Sequence, residues 1–104
     1  MRNVVIVDSV RTGLAKSFRG GFNQTRADNM TAHLVNALLE RNPSLKPEMV
    51  EDMILGCGAP EGAQGHNIAR NVAVLSNLPI DCCLFSSIIS FVFMSLNDVL
   101  FSNF

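Results

Sequence analysis

A chain of 104 residues with a formal net charge of −1 has room for one small domain or a piece of a larger one. It can bury only about 65% of its unfolded surface, and its near-neutral charge excludes the basic stripe that nucleic-acid binding requires. Three cysteines, an odd number, exclude a secreted disulfide framework and favour a cytoplasmic location.

The first predicted element is a strand from Asn3 to Asp8, because a run of four β-branched residues indicates a buried strand. A glycine-containing loop over residues 13–25 follows it. A helix is predicted over residues 28–41, because apolar residues recur there at helical spacing. Asp28 can cap its start, and Asn42-Pro43 ends it.

The next predicted elements alternate between helix and strand. Pro47 opens a short helix that runs to about Glu51, and a second short strand covers residues 53–57. A glycine-rich loop then leads to an amphipathic helix over residues 66–77, which Leu78-Pro79 stops. This order indicates an α/β layered domain whose sheet is unfinished, because two strands cannot form a stable sheet alone.

The composition changes around residue 80. Residues 1–80 hold all eight Lys and Arg, whereas residues 81–104 hold five of the seven Phe. We therefore divide the chain into an N-terminal segment, 1–80, and an apolar tail, 81–104. Residues 82–96 carry no charge, but as a helix they would rise only about 22 Å, short of the roughly 30 Å hydrocarbon core. A membrane partner is therefore not expected.

One candidate site is the loop that leads onto the last predicted helix. Free N–H groups at a helix N-terminus favour anions, so Gln64, Asn67 and Arg70 are candidates for an anionic ligand or for an interface. The alternative is structural: the glycines make the turn, and Asn67 or Gln64 caps the helix. Arg11 is a further candidate, because α/β sheets often place ligands at the carboxyl ends of their strands.

The cysteines and histidines form no recognisable catalytic or metal site. Cys57 ends a buried strand and is interpreted as an inert core thiol. Cys82 and Cys83 are adjacent, which is not a metal-ligand spacing, so no metal site is predicted. His66 lies next to the loop, yet no nucleophile turn accompanies it. No catalytic residue is therefore assigned.

Five ordered segments together resemble the start of a thiolase. They are Val4 to Thr12, Arg26-Ala27-Asp28, Ala37 to Pro43, Ile54 to Cys57, and Gln64 to Arg70 closing on Leu78-Pro79. The resemblance covers residues 1–80 with the family's spacing. It is closest to the acetyl-CoA acyltransferases of fatty-acid β-oxidation, with the acetyl-CoA acetyltransferases as the near alternative.

This resemblance implies an incomplete N-terminal half of the thiolase-like αβαβα layered fold, in a family of homo-oligomers. It implies acyl transfer on coenzyme A thioesters, by thiolytic cleavage of 3-oxoacyl-CoA or by Claisen condensation of acetyl-CoA. Coenzyme A is then a substrate, and no bound cofactor is implied. Gln64, Asn67 and Arg70 match a family segment near the subunit interface and active site, which implies supporting roles for them.

The resemblance ends before the family's nucleophile. Thiolases follow Leu-Pro with a strand and an Asn-Arg-x-Cys-Ser-Ser-Gly turn, whereas Pro79 is followed here by Ile80-Asp81-Cys82-Cys83. The nucleophile is therefore not transferred to Cys82 or Cys83, and this chain alone is expected to be inactive. A shifted reading frame near codon 81 is the simplest explanation of the tail. The alternative function is a non-catalytic interaction fragment that docks on a thiolase subunit or self-associates.

Overall fold

The computed structural model describes residues 4–79, 81–87, 92–96 and 99–103. These residues form two α-helices, α1 (Ala27–Arg41) and α2 (Ile68–Leu75), and one five-stranded sheet. The strands are β1 (Val5–Ile6), β2 (Val50–Gly56), β3 (Cys83–Ser87), β4 (Val92–Leu96) and β5 (Val99–Asn103). Short 3-10 turns lie at Pro47–Met49 and Gly62–Gln64. The predicted α/β class is confirmed.

The sheet is mixed, with the strand order β1-β5-β4-β2-β3. β2 lies inside it, parallel to β3 and antiparallel to β4, whereas β1 lies at an edge and pairs parallel with β5. Two strands of the sheet were predicted from the sequence, and the structure adds three strands, all formed by the tail. Uncharged, β-branched and aromatic residues such as those of the tail suit a pleated sheet. Residue 80, where the composition changes, lies outside the described residues.

One hydrophobic core joins both helices to β2. Met53, Leu55 and Cys57 share one face, because side chains alternate along a strand and its extension, and each is nearly inaccessible to solvent. Val35 of α1 and Val72 of α2 belong to the same cluster. The core therefore fixes α2, and the loop before it, against the carboxyl end of β2.

β1 is shorter and more exposed than the sequence predicted. The predicted buried strand covered residues 3–8, of which Asn3 lies outside the described residues. Only Val5 and Ile6 form β1, and they are 52% and 68% exposed. A β-branched run identifies a strand but not its surroundings, and β1 is an edge strand of this sheet. The prediction of a strand is therefore confirmed, and the prediction that the strand is buried was wrong.

The helix boundaries also differ from the predictions. α1 begins at Ala27, with Arg26 in the N-cap position and no side-chain cap, so the expected Asp28 cap is wrong. The carboxylate of Asp28 binds Arg26 instead. α2 covers Ile68–Leu75 rather than 66–77, because the backbone is already extended at Ser76. In the described part of the chain, no helix has the length and apolar character needed to cross a membrane.

Candidate functional site

The candidate site is the segment from Gln64 to Arg70, between the carboxyl end of β2 and the first turn of α2. Gln64 is the last residue of the 3-10 turn, Asn67 is the N-cap of α2, and Arg70 lies in its first turn. His66 adopts a positive φ of 58°, a left-handed conformation that reverses the chain just before the helix. Three of the four predicted supporting residues therefore lie on one short, well-defined turn.

A side-chain hydrogen bond from Cys57 holds Gln64 in place. The thiol of Cys57 donates to the side-chain oxygen Oε1 of Gln64, with a sulfur-to-oxygen distance of 3.3 Å. Cys57 is buried, and Gln64 is half-buried. The contact ties the start of the segment to the end of β2 and occupies the thiol hydrogen. This is consistent with the interpretation of Cys57 as a structural core thiol rather than a reactive one.

Asn67 caps α2. Its Oδ1 accepts a hydrogen bond from the backbone N–H of Arg70 at 3.3 Å, as an N-cap side chain does for the third helical residue. The structural alternative stated from the sequence, with Asn67 as the cap, is therefore confirmed. The cap satisfies one of the free N–H groups that an anion would otherwise bind.

Arg70 lines a cleft beside α2. The cleft has a volume of about 180 Å³, and its other lining residues are Ala73, Val74 and Leu78. Arg70 is exposed, as is Val74. A guanidinium beside an apolar floor can bind a carboxylate or a phosphate, or it can meet the polar rim of a partner protein.

Arg11 does not join this segment. It lies in the exposed stretch after β1, and its guanidinium Nη1 donates to the carbonyl oxygen of the neighbouring Thr12 at 3.3 Å. That contact is local, so the structure supports the placement of Arg11 beyond the first strand but gives it no ligand-binding partner among the described residues.

Sequence reasoning missed a polar cluster that joins β1 to α1. Asp8 accepts one hydrogen bond from the side-chain amide of Asn42, and its carboxylate pairs with Arg41 at 3.0 Å. Arg41 also donates to the backbone carbonyl oxygen of Ser9. The available signal was a basic residue in the last turn of a predicted helix, together with an acid directly after a predicted strand.

A second ion pair lies at the start of α1. Nε and Nη2 of Arg26 donate to the two carboxylate oxygens of Asp28, at 3.1 and 2.7 Å. These hydrogen bonds hold the pKa of Asp28 below its ordinary value, although burial opposes the shift. The same pair raises the pKa of Arg26. Both groups are therefore charged at neutral pH, and their role in the structure is to fix the entry to the helix.

The described residues contain no metal-binding constellation, and the two thiols whose burial is described are both buried. No group of three or more His, Cys, Asp or Glu in this part of the chain could hold a metal ion. The thiols of Cys57 and Cys82 are buried, with only 6% and 5% of these residues exposed. Reactive cysteines need access and an electropositive neighbourhood. Neither thiol is therefore assigned as a nucleophile.

Comparisons with a family model and with curated proteins both find thiolases. The sequence profile of "Thiolase, N-terminal domain" matches residues 4–88. A 3-ketoacyl-CoA thiolase of Aliivibrio salmonicida is 49% identical over 79 residues, and one of Aliivibrio fischeri is 51% identical over the same length; each alignment covers 76% of this chain and 20% of the relative. One of Vibrio vulnificus is 47% identical over 81 residues, 78% of this chain and 21% of the relative. The chain spans about a fifth of the length of these curated relatives.

Proposed function

This chain belongs to the thiolase family, and from that membership we propose that it is the N-terminal segment of an acyltransferase that acts on coenzyme A thioesters. The proposed reaction is thiolytic cleavage of a 3-oxoacyl-CoA by coenzyme A, as in fatty-acid β-oxidation. Claisen condensation of acetyl-CoA is the same chemistry in reverse. Coenzyme A and acyl-CoA enter as substrates, and the proposed location is the cytoplasm.

One observation carries this proposal. The chain is 47–51% identical to proteins named 3-ketoacyl-CoA thiolase over 79–81 residues. That name favours the degradative reaction over the biosynthetic one. The aligned segment includes Gln64, Asn67 and Arg70, to which we assign supporting roles in the assembled enzyme. We further propose that such an enzyme is a homo-oligomer, as is general in the family.

We propose that the 104-residue chain does not perform the reaction by itself. Acyl transfer through a thioester needs an accessible thiolate, an acid and a base in mutual reach. Cys57 and Cys82 are buried, and the sequence contains no Asn-Arg-x-Cys-Ser-Ser-Gly turn. The Gln64–Arg70 segment can position a loop and a helix, but neither buried thiol is an assembled nucleophile.

The first experiment is a thiolysis assay of the purified chain with acetoacetyl-CoA and coenzyme A. The Aliivibrio fischeri 3-ketoacyl-CoA thiolase serves as the positive control. We expect no turnover above a reaction without protein. Turnover that survives the double substitution Cys82→Ser and Cys83→Ser would show that the site lies elsewhere in the chain. Turnover that this substitution abolishes would identify one of the two thiols as a nucleophile, and it would equally contradict the proposed inactivity.

A chimera tests the family role of the segment separately. Residues 4–79 replace the aligned segment of the Aliivibrio fischeri enzyme, and thiolysis is measured on the folded chimera. Retained activity supports the proposal that this segment functions inside a thiolase. A chimera that has the parent's circular dichroism spectrum and oligomeric state but no activity contradicts it.

The alternative is a non-catalytic interaction fragment. The supporting observation is the apolar surface of α2 beside Arg70, where Val74 is 67% and Leu75 49% exposed. Such a fragment would use the Gln64–Arg70 segment and the apolar tail to dock on a thiolase subunit or on a second copy. Size-exclusion chromatography of the chain, alone and mixed with the Aliivibrio fischeri enzyme, tests this. A dilute monomer that does not co-elute with the enzyme counts against the alternative.

A further inference from the structure

We draw no further inference here: the strongest candidate, the cleft that Ser17, Phe18, Phe22 and Asn23 line on the loop between β1 and α1, carries none, because the chain spans about a fifth of its relatives' length and nothing in the structure shows what covers these side chains.

Discussion

The side-chain amide of Asn42 donates a 3.0 Å hydrogen bond to the carboxylate of Asp8, across a sequence separation of 34 residues. Asn42 is the C-cap of α1, and Asp8 follows β1. Arg41 pairs with the other carboxylate oxygen of Asp8 at 3.0 Å. The end of the longest described helix is therefore attached to the strand at the edge of the sheet.

Replacing Asp8 tests this attachment. We expect Asp8→Ala to lower the free energy of unfolding by about 1 kcal/mol, because two side-chain contacts are lost at a partly exposed position where solvent screens the ion pair. Urea denaturation measures the effect. Glu40→Ala is the matched control, since Glu40 is an exposed acid beside Arg41, and it is expected to change stability by no more than about 0.5 kcal/mol. Equal effects of the two substitutions would mean that the contact contributes nothing.

The ion pair of Arg26 and Asp28 makes stability depend on pH. The pKa of Asp28 is lower in the folded chain than its ordinary value of 3.8, chiefly because of the Arg26 hydrogen bonds. The unfolded chain therefore binds this proton first as the pH falls. The stabilisation is fully present above the unfolded pKa and is lost as the pH falls from there through the folded pKa.

Comparing the parent with Asp28→Asn isolates this effect. We expect the parent to be more stable at neutral pH and the difference between the two proteins to shrink below the ordinary aspartate pKa. Unfolding curves between pH 7 and pH 2 measure it. Asp81→Asn, at an exposed acid, is the control substitution. A difference that is constant with pH would show that the pair is not electrostatic.

Asn67 is expected to stabilise α2 through its cap. Asn67→Ala removes the acceptor for the N–H of Arg70 and should lower the free energy of unfolding by about 1 kcal/mol. Asn67→Asp should retain most of the stabilisation that the cap provides, because aspartate also accepts a hydrogen bond at this position. Asn71→Ala is the control within the same helix, and it should be neutral or slightly stabilising because Ala has the higher helix propensity. Thermal unfolding followed by circular dichroism compares the three, and a loss at Asn71 equal to that at Asn67 would rule out the cap.

Neighbouring glycines in the loop should respond differently to a methyl group. The Cβ of Gly20→Ala would meet the backbone of Lys16 at 2.4 Å, whereas nothing lies within 4 Å of a Cβ added at Gly21. We expect Gly20→Ala to lower the free energy of unfolding by about 1–3 kcal/mol. Gly21→Ala should have little effect. Urea denaturation distinguishes them, and two identical curves would contradict the close packing at Gly20.

The proposed origin of the tail is tested on the coding DNA. Sequencing from codon 75 through several hundred bases past the stop should reveal a second frame that continues with Asn-Arg-x-Cys-Ser-Ser-Gly. The family profile extends to residue 88, while the apolar composition begins at residue 81. If no such frame exists, the tail belongs to the protein, and the interaction fragment becomes the stronger proposal.

The order of the main elements could be predicted from residues close together in the chain, and the family from the resemblance of five ordered segments. Helical spacing identified α1 and α2, whereas the supporting roles of Gln64, Asn67 and Arg70 stay predictions. Helix periodicity, caps and glycine turns act within a few residues, so a single sequence carries them. The expected cap at Asp28 failed because Arg26, two residues earlier, competes for the same carboxylate.

Contacts between distant residues, and exposure, were decided only by the tertiary structure. The Asp8–Asn42 hydrogen bond and the contact between Cys57 and Gln64 depend on where the chain brings its elements together. The exposure of β1 depends on its position at the edge of the sheet, and the pairing of the tail with β2 depends on long-range hydrogen bonds. A residue's type sets which contacts it can make, but only the folded backbone sets which partners come within reach, because those partners are contributed by segments that local patterns do not connect.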